Sequence, residues 1–226
     1  IFLKKILSLS LWGNNPKYTE GALRNIELSK DIYPGWVVRI YTDQSAYDFI
    51  FDNIQNSDDI SHVELINYKN EGDWNGMFWR FLPAFDPSVD VMISRDCDSR
   101  ISKREADAVN HWLDSEKDFH VMRDHPFHNI QVLGGMWGCR NNIMSKTGIK
   151  NINPDSYESH WQIDQHFLRY EVYPYITDDL FVHDPYKHFP QELCIHDFPS
   201  NRENNHFIGE IFDENNNRHP DHYTLL

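Results

Sequence analysis

Apolar runs that alternate with helix-like segments constrain this chain more tightly than any single motif does. The run from Lys4 to Leu11 is broken by Trp12-Gly13-Asn14-Asn15-Pro16, where Asn15 before Pro16 reads as an N-cap and first helical residue. The helix it opens carries Tyr18, Ala22, Leu23 and Ile26 toward the core and ends at Tyr33-Pro34-Gly35. Trp36 to Tyr41 is the next strand, followed by a helix around Ala46 to Asn53, a short strand at Val63 to Ile66, and a helical stretch from Gly76 to Phe85. Val89 to Ser94 adds a further central strand, and Ser102 with Glu105 three residues on spaces a capping box for a helix through Trp112. The pattern then loosens into a strand at Phe119 to Met122, a His-rich loop, a glycine-rich segment, a helix from about Tyr157 to Tyr170, and a strand ending in Phe181-Val182-His183-Asp184. Such alternation predicts an α/β fold, a mostly parallel central sheet flanked by helices, with ligands gathered at the carboxyl ends of its strands.

At 226 residues the chain has room for one domain with a buried core. The expected division is a domain over residues 1–200 and a C-terminal arm or loop, 201–226, packed on the same domain. Aromatics make up 14% of the residues although mean hydropathy is −0.65, and such rings stack on bases and sugars as readily as they build cores. A formal net charge of −14, with no contiguous basic stripe, argues against nucleic acid and anionic membrane partners. An acidic chain that handles an anionic nucleotide needs a cation between the two. The three cysteines are far apart and form no CxxC pair, which fits a reducing, cytoplasmic setting. No run approaches the roughly 20 apolar residues of a membrane span, so no intrinsic membrane segment is expected. The chain does not begin with Met, and further domains in a longer protein are compatible with it.

Asp96 and Asp98 stand one residue apart just beyond the Val89 to Ser94 strand. Both carboxylates can therefore reach one hard cation, Mn2+ or Mg2+, while Cys97 turns away. Gly134, Gly135 and Gly138 allow backbone to approach a ligand closely, with Trp137 available to stack on a sugar face or to fill the core. Arg95 and Arg100 flank the acidic turn, as phosphate ligands or as neutralising charges, and Arg123-Asp124-His125 ends the following strand as an acceptor-facing or plain surface turn. His125 and His128 are close enough to be read as a zinc ligand pair, with His120 further off.

Four segments, KILSLSLWG, GMFWRFLPAFD, ISRDCDSR and DQHFL, together resemble the GT-A glycosyltransferases, over roughly Lys4 to Asp184. The resemblance is strongest to small glycosyltransferase-like domains of bacteria and large DNA viruses. It implies a GT-A type single Rossmann-like domain, a nucleoside-diphosphate sugar as donor, a glycan or other hydroxyl as acceptor, and a divalent metal on Asp96 and Asp98 bridging the diphosphate. It further implies that Ser8, Ser10 and Trp12 hold base and ribose, and that Arg80 lies near the donor or pairs with the acidic turn. Gly134, Gly135 and Trp137 then lie beside the transferred sugar. Asp164 and Gln165 match an Asp-Gln pair set against that sugar, with Asp164 as the base if transfer inverts the anomeric carbon. His183 is the expected third metal ligand, with His196 in reserve. Two rival readings are a metal-dependent phosphohydrolase and a non-catalytic carbohydrate-binding module built on the tryptophans.

Overall fold

The computed structural model describes residues 3–55, 60–141 and 143–220. The expected arm is thus described as far as residue 220, and 221–226 lie outside the described residues. Eight strands form one sheet: β1 (Lys5–Leu11), β2 (Val37–Asp43), β3 (Val63–Lys69), β4 (Val91–Ser94), β5 (Phe119–Met122), β6 (Trp137–Arg140), β7 (Leu180–His183) and β8 (Ile195–His196). Their order is β3-β2-β1-β4-β6-β5-β7-β8, and every pairing is parallel except the two made by β6. This is the α/β fold with a mostly parallel sheet that the sequence predicts.

β1 is central, and its alternation distributes it between two cores. Leu7, Leu9 and Leu11 pack with Ala22 and Ile26 of helix α1 (Pro16–Ile32), Ile50 of α2 (Gln44–Ile54) and Trp112 of α3 (Lys103–Leu113). Ile6 enters the opposite cluster with Phe78, Phe81, Trp137 and Phe167. Ser8 and Ser10 continue that second face toward the carboxyl end of the strand.

Asn15 caps α1 as expected, its side chain accepting from Lys17 N. Ser102 caps α3 by accepting from Glu105 N at 3.3 Å, but the Glu105 carboxylate does not reach back. It accepts instead from Arg95 Nε and the Tyr33 hydroxyl, both at 2.7 Å, so the capping box is half made.

Three local expectations need correction. The helical stretch near Gly76 to Phe85 is a 3₁₀ segment, Trp74–Phe85, with Pro83 inside it and no α-turns. Its three-residue repeat eclipses i and i+3, which aligns Trp74, Met77 and Arg80 on one edge. The glycine-rich segment runs into β6, whose antiparallel register was not foreseen. The helix expected from Tyr157 begins only at α4 (Ile163–Phe167) and passes through a π-turn, Leu168–Val172, to Ile176.

Candidate active site

The carboxyl ends of β1 and β4 open on a cleft of about 560 Å³. Asp96 and Asp98 reach it from the turn after β4, and Ser10 and Trp12 from the end of β1. Trp74, Met77 and Arg80 enter from the aligned edge of the 3₁₀ segment. The pairing Ser94↔Trp137 explains how the glycines arrive: β6 runs antiparallel, so residues before Trp137 lie beside those after Ser94. The Ser94 hydroxyl donates to Gly134 O at 2.7 Å and fixes that approach. A Cβ on Gly135 would collide with the Asp96 carboxylate, and one on Gly134 with Arg80 and Asp164. A side chain at either position would force these charged groups to shift.

Arg80 is the hub. Its backbone N–H donates to Ser10 Oγ at 2.7 Å, one Nη pairs with Asp96, and the other donates to Asp164 Oδ2 at 2.7 Å. Burial opposes the guanidinium charge, yet Asp96 and Asp164 more than offset it and hold Arg80 above its ordinary range. Burial raises the Asp164 carboxyl, with Arg80 resisting and Asp96 adding to the rise. Asp98 is likewise raised by burial and by Asp96, although Lys17 Nζ sits 2.7 Å from its Oδ2. Cys97 turns away as expected, and its Sγ–H donates to Ser10 O. Asp164 Oδ1, Gln165 Oε1 and Arg80 Nε are buried without a hydrogen-bond partner among the described residues. Three such atoms at one cleft are available to a ligand or to water.

No protein-family model matches the sequence, and a search of curated proteins finds no match. Solved structures do match in three dimensions. Residues 1–349 of TarS from S. aureus superpose with a TM-score of 0.54 at 12% identity, over 81% of this chain and 58% of that one. A mannosyltransferase from Pyrobaculum calidifontis, solved with GDP-Man and Mn2+, gives 0.50 at 12% identity, over 67% of this chain and 48% of that one. The fold is GT-A-like. The chain spans about half the length of these two structures.

On this GT-A-like frame, Ser10, Trp12, Arg80, Asp96, Asp98, Gly134, Gly135, Asp164 and Gln165 are brought to one cleft. Four other expected residues are placed elsewhere. Ser8 is fully buried one pleat deeper on β1. Arg95 is held by Glu105 and by Ser94 O inside the protein, so it neither lines the cleft nor pairs with the acidic turn. Trp137 is buried, its ring edge-on to Phe81 with centroids 5.3 Å apart, so it fills the core and offers no face to a sugar. His183 stands on β7, separated from β4 by β6 and β5, and both its ring nitrogens are engaged, with His120 at 2.8 Å and His111 at 3.1 Å. His196 lies beside it, 3.3 Å from Cys194 Sγ. His125 and His128 pack on Phe207, and among the described residues no three His, Cys, Asp or Glu side chains form a metal-binding group. Arg123 and Asp124 are fully buried and make internal ion pairs with Asp184, Glu192, Arg104 and Arg202.

Sequence reading missed Met77, Trp161 and the arm residues Gly209 and Ile211, which line the cleft, and Lys17, whose Nζ pairs with Asp98 of that cleft. Lys17 did leave a trace: it occupies the first turn of α1, where a cation opposes the helix dipole, and that turn has no acid. Its partner is Asp98 from another element. The arm gave no such signal, yet Phe212 N donates to Asp98 O at 2.8 Å and buries its own ring.

The imidazole chain carries a prediction about stability. Burial, followed by neighbouring histidines, drives His120 well below its ordinary pKa and His183 down to about 3. As pH falls below 6.5 the unfolded chain takes up protons that these folded imidazoles refuse. Their contribution is therefore complete above pH 6.5 and is lost progressively below it. Urea midpoints should fall between pH 6.5 and about 4.5, above most carboxylate titration. The fall should be shallower in His183→Gln, and a flat wild-type profile would contradict the account.

Proposed function

We propose that this chain transfers a sugar from a nucleoside-diphosphate sugar to an acceptor hydroxyl, with Mn2+ or Mg2+ on Asp96 and Asp98. The observation that carries the reading is the convergence, at the carboxyl ends of β1 and β4, of those two carboxylates with Arg80, Asp164 and Gln165. The mannosyltransferase of similar fold was solved with GDP-Man and Mn2+, which supports the same ligand chemistry here. Two carboxylates suit such an ion, since Mg2+ commonly takes one or two from protein and the rest of its oxygens from phosphate and water. When bound, the ion would neutralise charge developing on the departing diphosphate.

The chain's own residues divide the remaining work. Lys17 and Arg80, now paired with Asp98 and Asp96, sit where they can turn to phosphate oxygens. Trp12 and Trp74, edge to face at 6.5 Å, offer apolar surface to the base. Gln165 Oε1 and Asp164 Oδ1 accept hydroxyls of donor or acceptor. For inverting transfer Asp164 takes the acceptor proton, and burial favours this by raising its affinity for a proton.

One observation favours a second reading of the same activity. Both candidate metal carboxylates already carry a cationic partner, so Lys17 and Arg80 can serve the diphosphate directly without an ion. Thermal denaturation with a panel of nucleoside-diphosphate sugars separates the two. At about 100 times Kd the donor should raise Tm by about 5–10 °C. On the metal reading this shift needs Mn2+ and vanishes with EDTA, whereas on the second it survives EDTA. A chain that binds free sugars but no nucleotide belongs to the binding-module class. In the absence of acceptor, slow release of free sugar with intact nucleoside diphosphate marks transfer chemistry, and release of inorganic phosphate marks a phosphohydrolase.

A further inference from the structure

A second cavity, of about 720 Å³, lies across the C-terminal arm from the cleft. The arm is the partition: Gly209 and Ile211 line the cleft, while Glu210 and Phe212 line the cavity. Two guanidiniums distant in sequence, Arg24 on α1 and Arg100 after β4, meet at its wall. Gly21 lies one helical turn before Arg24, and a Cβ there would stand 3.1 Å from Arg100 Nη1. Arg100 therefore rests against the face of α1 that carries Arg24.

The Arg100 guanidinium is held in place by neutral oxygens. Its Nε donates to Asn216 Oδ1 and an Nη to Ser99 O, both at 2.9 Å, and its plane lies 5.1 Å from the Phe212 centroid. Those bonds fix the group without cancelling its charge, and among the described residues neither Arg24 nor Arg100 forms an ion pair. Arg24 lies near enough to Arg100 for the two like charges to act on each other, and Asp98 and Asp213 are the acids nearby. The other cations at the cavity are matched: Arg218 by Glu210, Arg104 by Asp124 and Lys103 by Asp107. Glu27 at the rim is taken by Lys30. In a chain of net charge −14, a wall that carries Arg24, Arg100, Lys103, Arg104 and Arg218 against Glu27, Glu203 and Glu210 is still a local reversal of field. The first turn of the eleven-residue helix α3 opens onto the same cavity and adds its own positive potential.

We infer that this cavity is an oxyanion subsite that takes the phosphate of a phosphorylated saccharide, Arg24 being its principal donor. Arg24 is exposed and among the described residues has no hydrogen-bond or ion-pair partner, while Arg100 and the α3 terminus set the field. The volume exceeds what a single phosphate needs, which is why a sugar is included in the ligand. That such a ligand would be the acceptor rests on the transferase reading above, but the binding itself does not.

Calorimetric titration with glucose 6-phosphate, inorganic phosphate and glucose, at low ionic strength and without any donor, tests the subsite. Glucose 6-phosphate should bind with Kd of about 1 mM or tighter. Arg24→Glu should weaken it at least about tenfold and Arg24→Gln by less, with unchanged circular dichroism in both. Saturating UDP or GDP should leave the binding intact. Failure to saturate by about 10 mM, or equal binding by Arg24→Glu, overturns the subsite. Competition by UDP or GDP does the same, because it moves the anion to the cleft. Inorganic phosphate binding as tightly as glucose 6-phosphate overturns the saccharide half. No turnover enters the assay, so its failure is distinguishable from failure of the transferase reading.

Discussion

If the proposed transfer inverts the anomeric carbon, Asp164→Asn is expected to lower its kcat by about 10²- to 10⁴-fold while changing the donor KM by less than about threefold. Asparagine preserves the shape of the side chain, and its oxygen still accepts from Arg80, which now bonds Asp164 Oδ2 at 2.7 Å. Asp96 remains to balance the guanidinium, so Arg80 is not left as an isolated buried charge. What disappears is the capacity to take a proton from an acceptor hydroxyl. On the proposed inverting transfer, the unpartnered Asp164 Oδ1 is the atom that would take that proton. Steady-state kinetics on a refolded, spectroscopically native variant separate the outcomes. An undiminished kcat would reduce Asp164 to an anchor for Arg80, and an elevated donor KM with normal kcat would move it to ground-state binding.

The residues of this cleft differ in how far local sequence reveals them, and the difference follows from the range of the interactions that place them. Asp96 and Asp98 are legible because a parallel strand buried on both faces reads as a continuous apolar run, and ligands collect at its carboxyl end. Asn15 and Ser102 are legible because capping is satisfied within three residues. Gly134 and Gly135 attract notice as glycines, but the reason for them is tertiary. The antiparallel entry of β6 presses their backbone against Asp96, Arg80 and Asp164. That strand is only four residues long and carries glycine and cysteine, so no periodic pattern announces it.

His183 and Trp137 show the opposite case, in which residue type invites a functional role that topology withholds. Two strands inserted between β4 and β7 carry His183 away from the acidic turn and into contact with His120 and His111. Trp137 sits on the core face of β6, where Phe81 takes its edge. The meeting of Arg24 with Arg100 depends on Gly21 allowing the loop after β4 to lie against α1, a contact across 76 residues that no window of sequence contains. Side chains placed by their own strand or helix were readable, whereas those placed by strand order or by the returning arm were not.

The largest loss of stability is expected from a residue whose sequence position suggests an acceptor-facing turn. Arg123→Met should cost about 3–5 kcal/mol, the usual penalty for removing one partner of a buried ion pair, and lower Tm by about 10 °C or more. The Arg123 side chain is fully buried, as are those of its two carboxylate partners. Its Nε donates to Asp184 Oδ2 at 2.8 Å, one Nη to Glu192 and the other to Gln131 O. Methionine fills much of the volume but leaves two carboxylates without their cation. Asp184 keeps compensation from the backbone N–H groups of Tyr186 and Lys187 and from His188 Nδ1. Among the described residues Glu192 retains only the Tyr173 hydroxyl, at 3.0 Å, and burial already raises its carboxyl with Arg123 present. Once Arg123 is gone the folded-state affinity of Glu192 for a proton rises further above the unfolded value. The defect should therefore be full near pH 7 and shrink as pH falls toward 5, opposite in sign to the histidine effect. Adding Glu192→Gln should restore part of the loss at pH 7 and remove most of that pH dependence. Urea denaturation of both single variants and the double variant measures each quantity, and a loss below about 1 kcal/mol for Arg123→Met would mean that water reaches the pair and screens it.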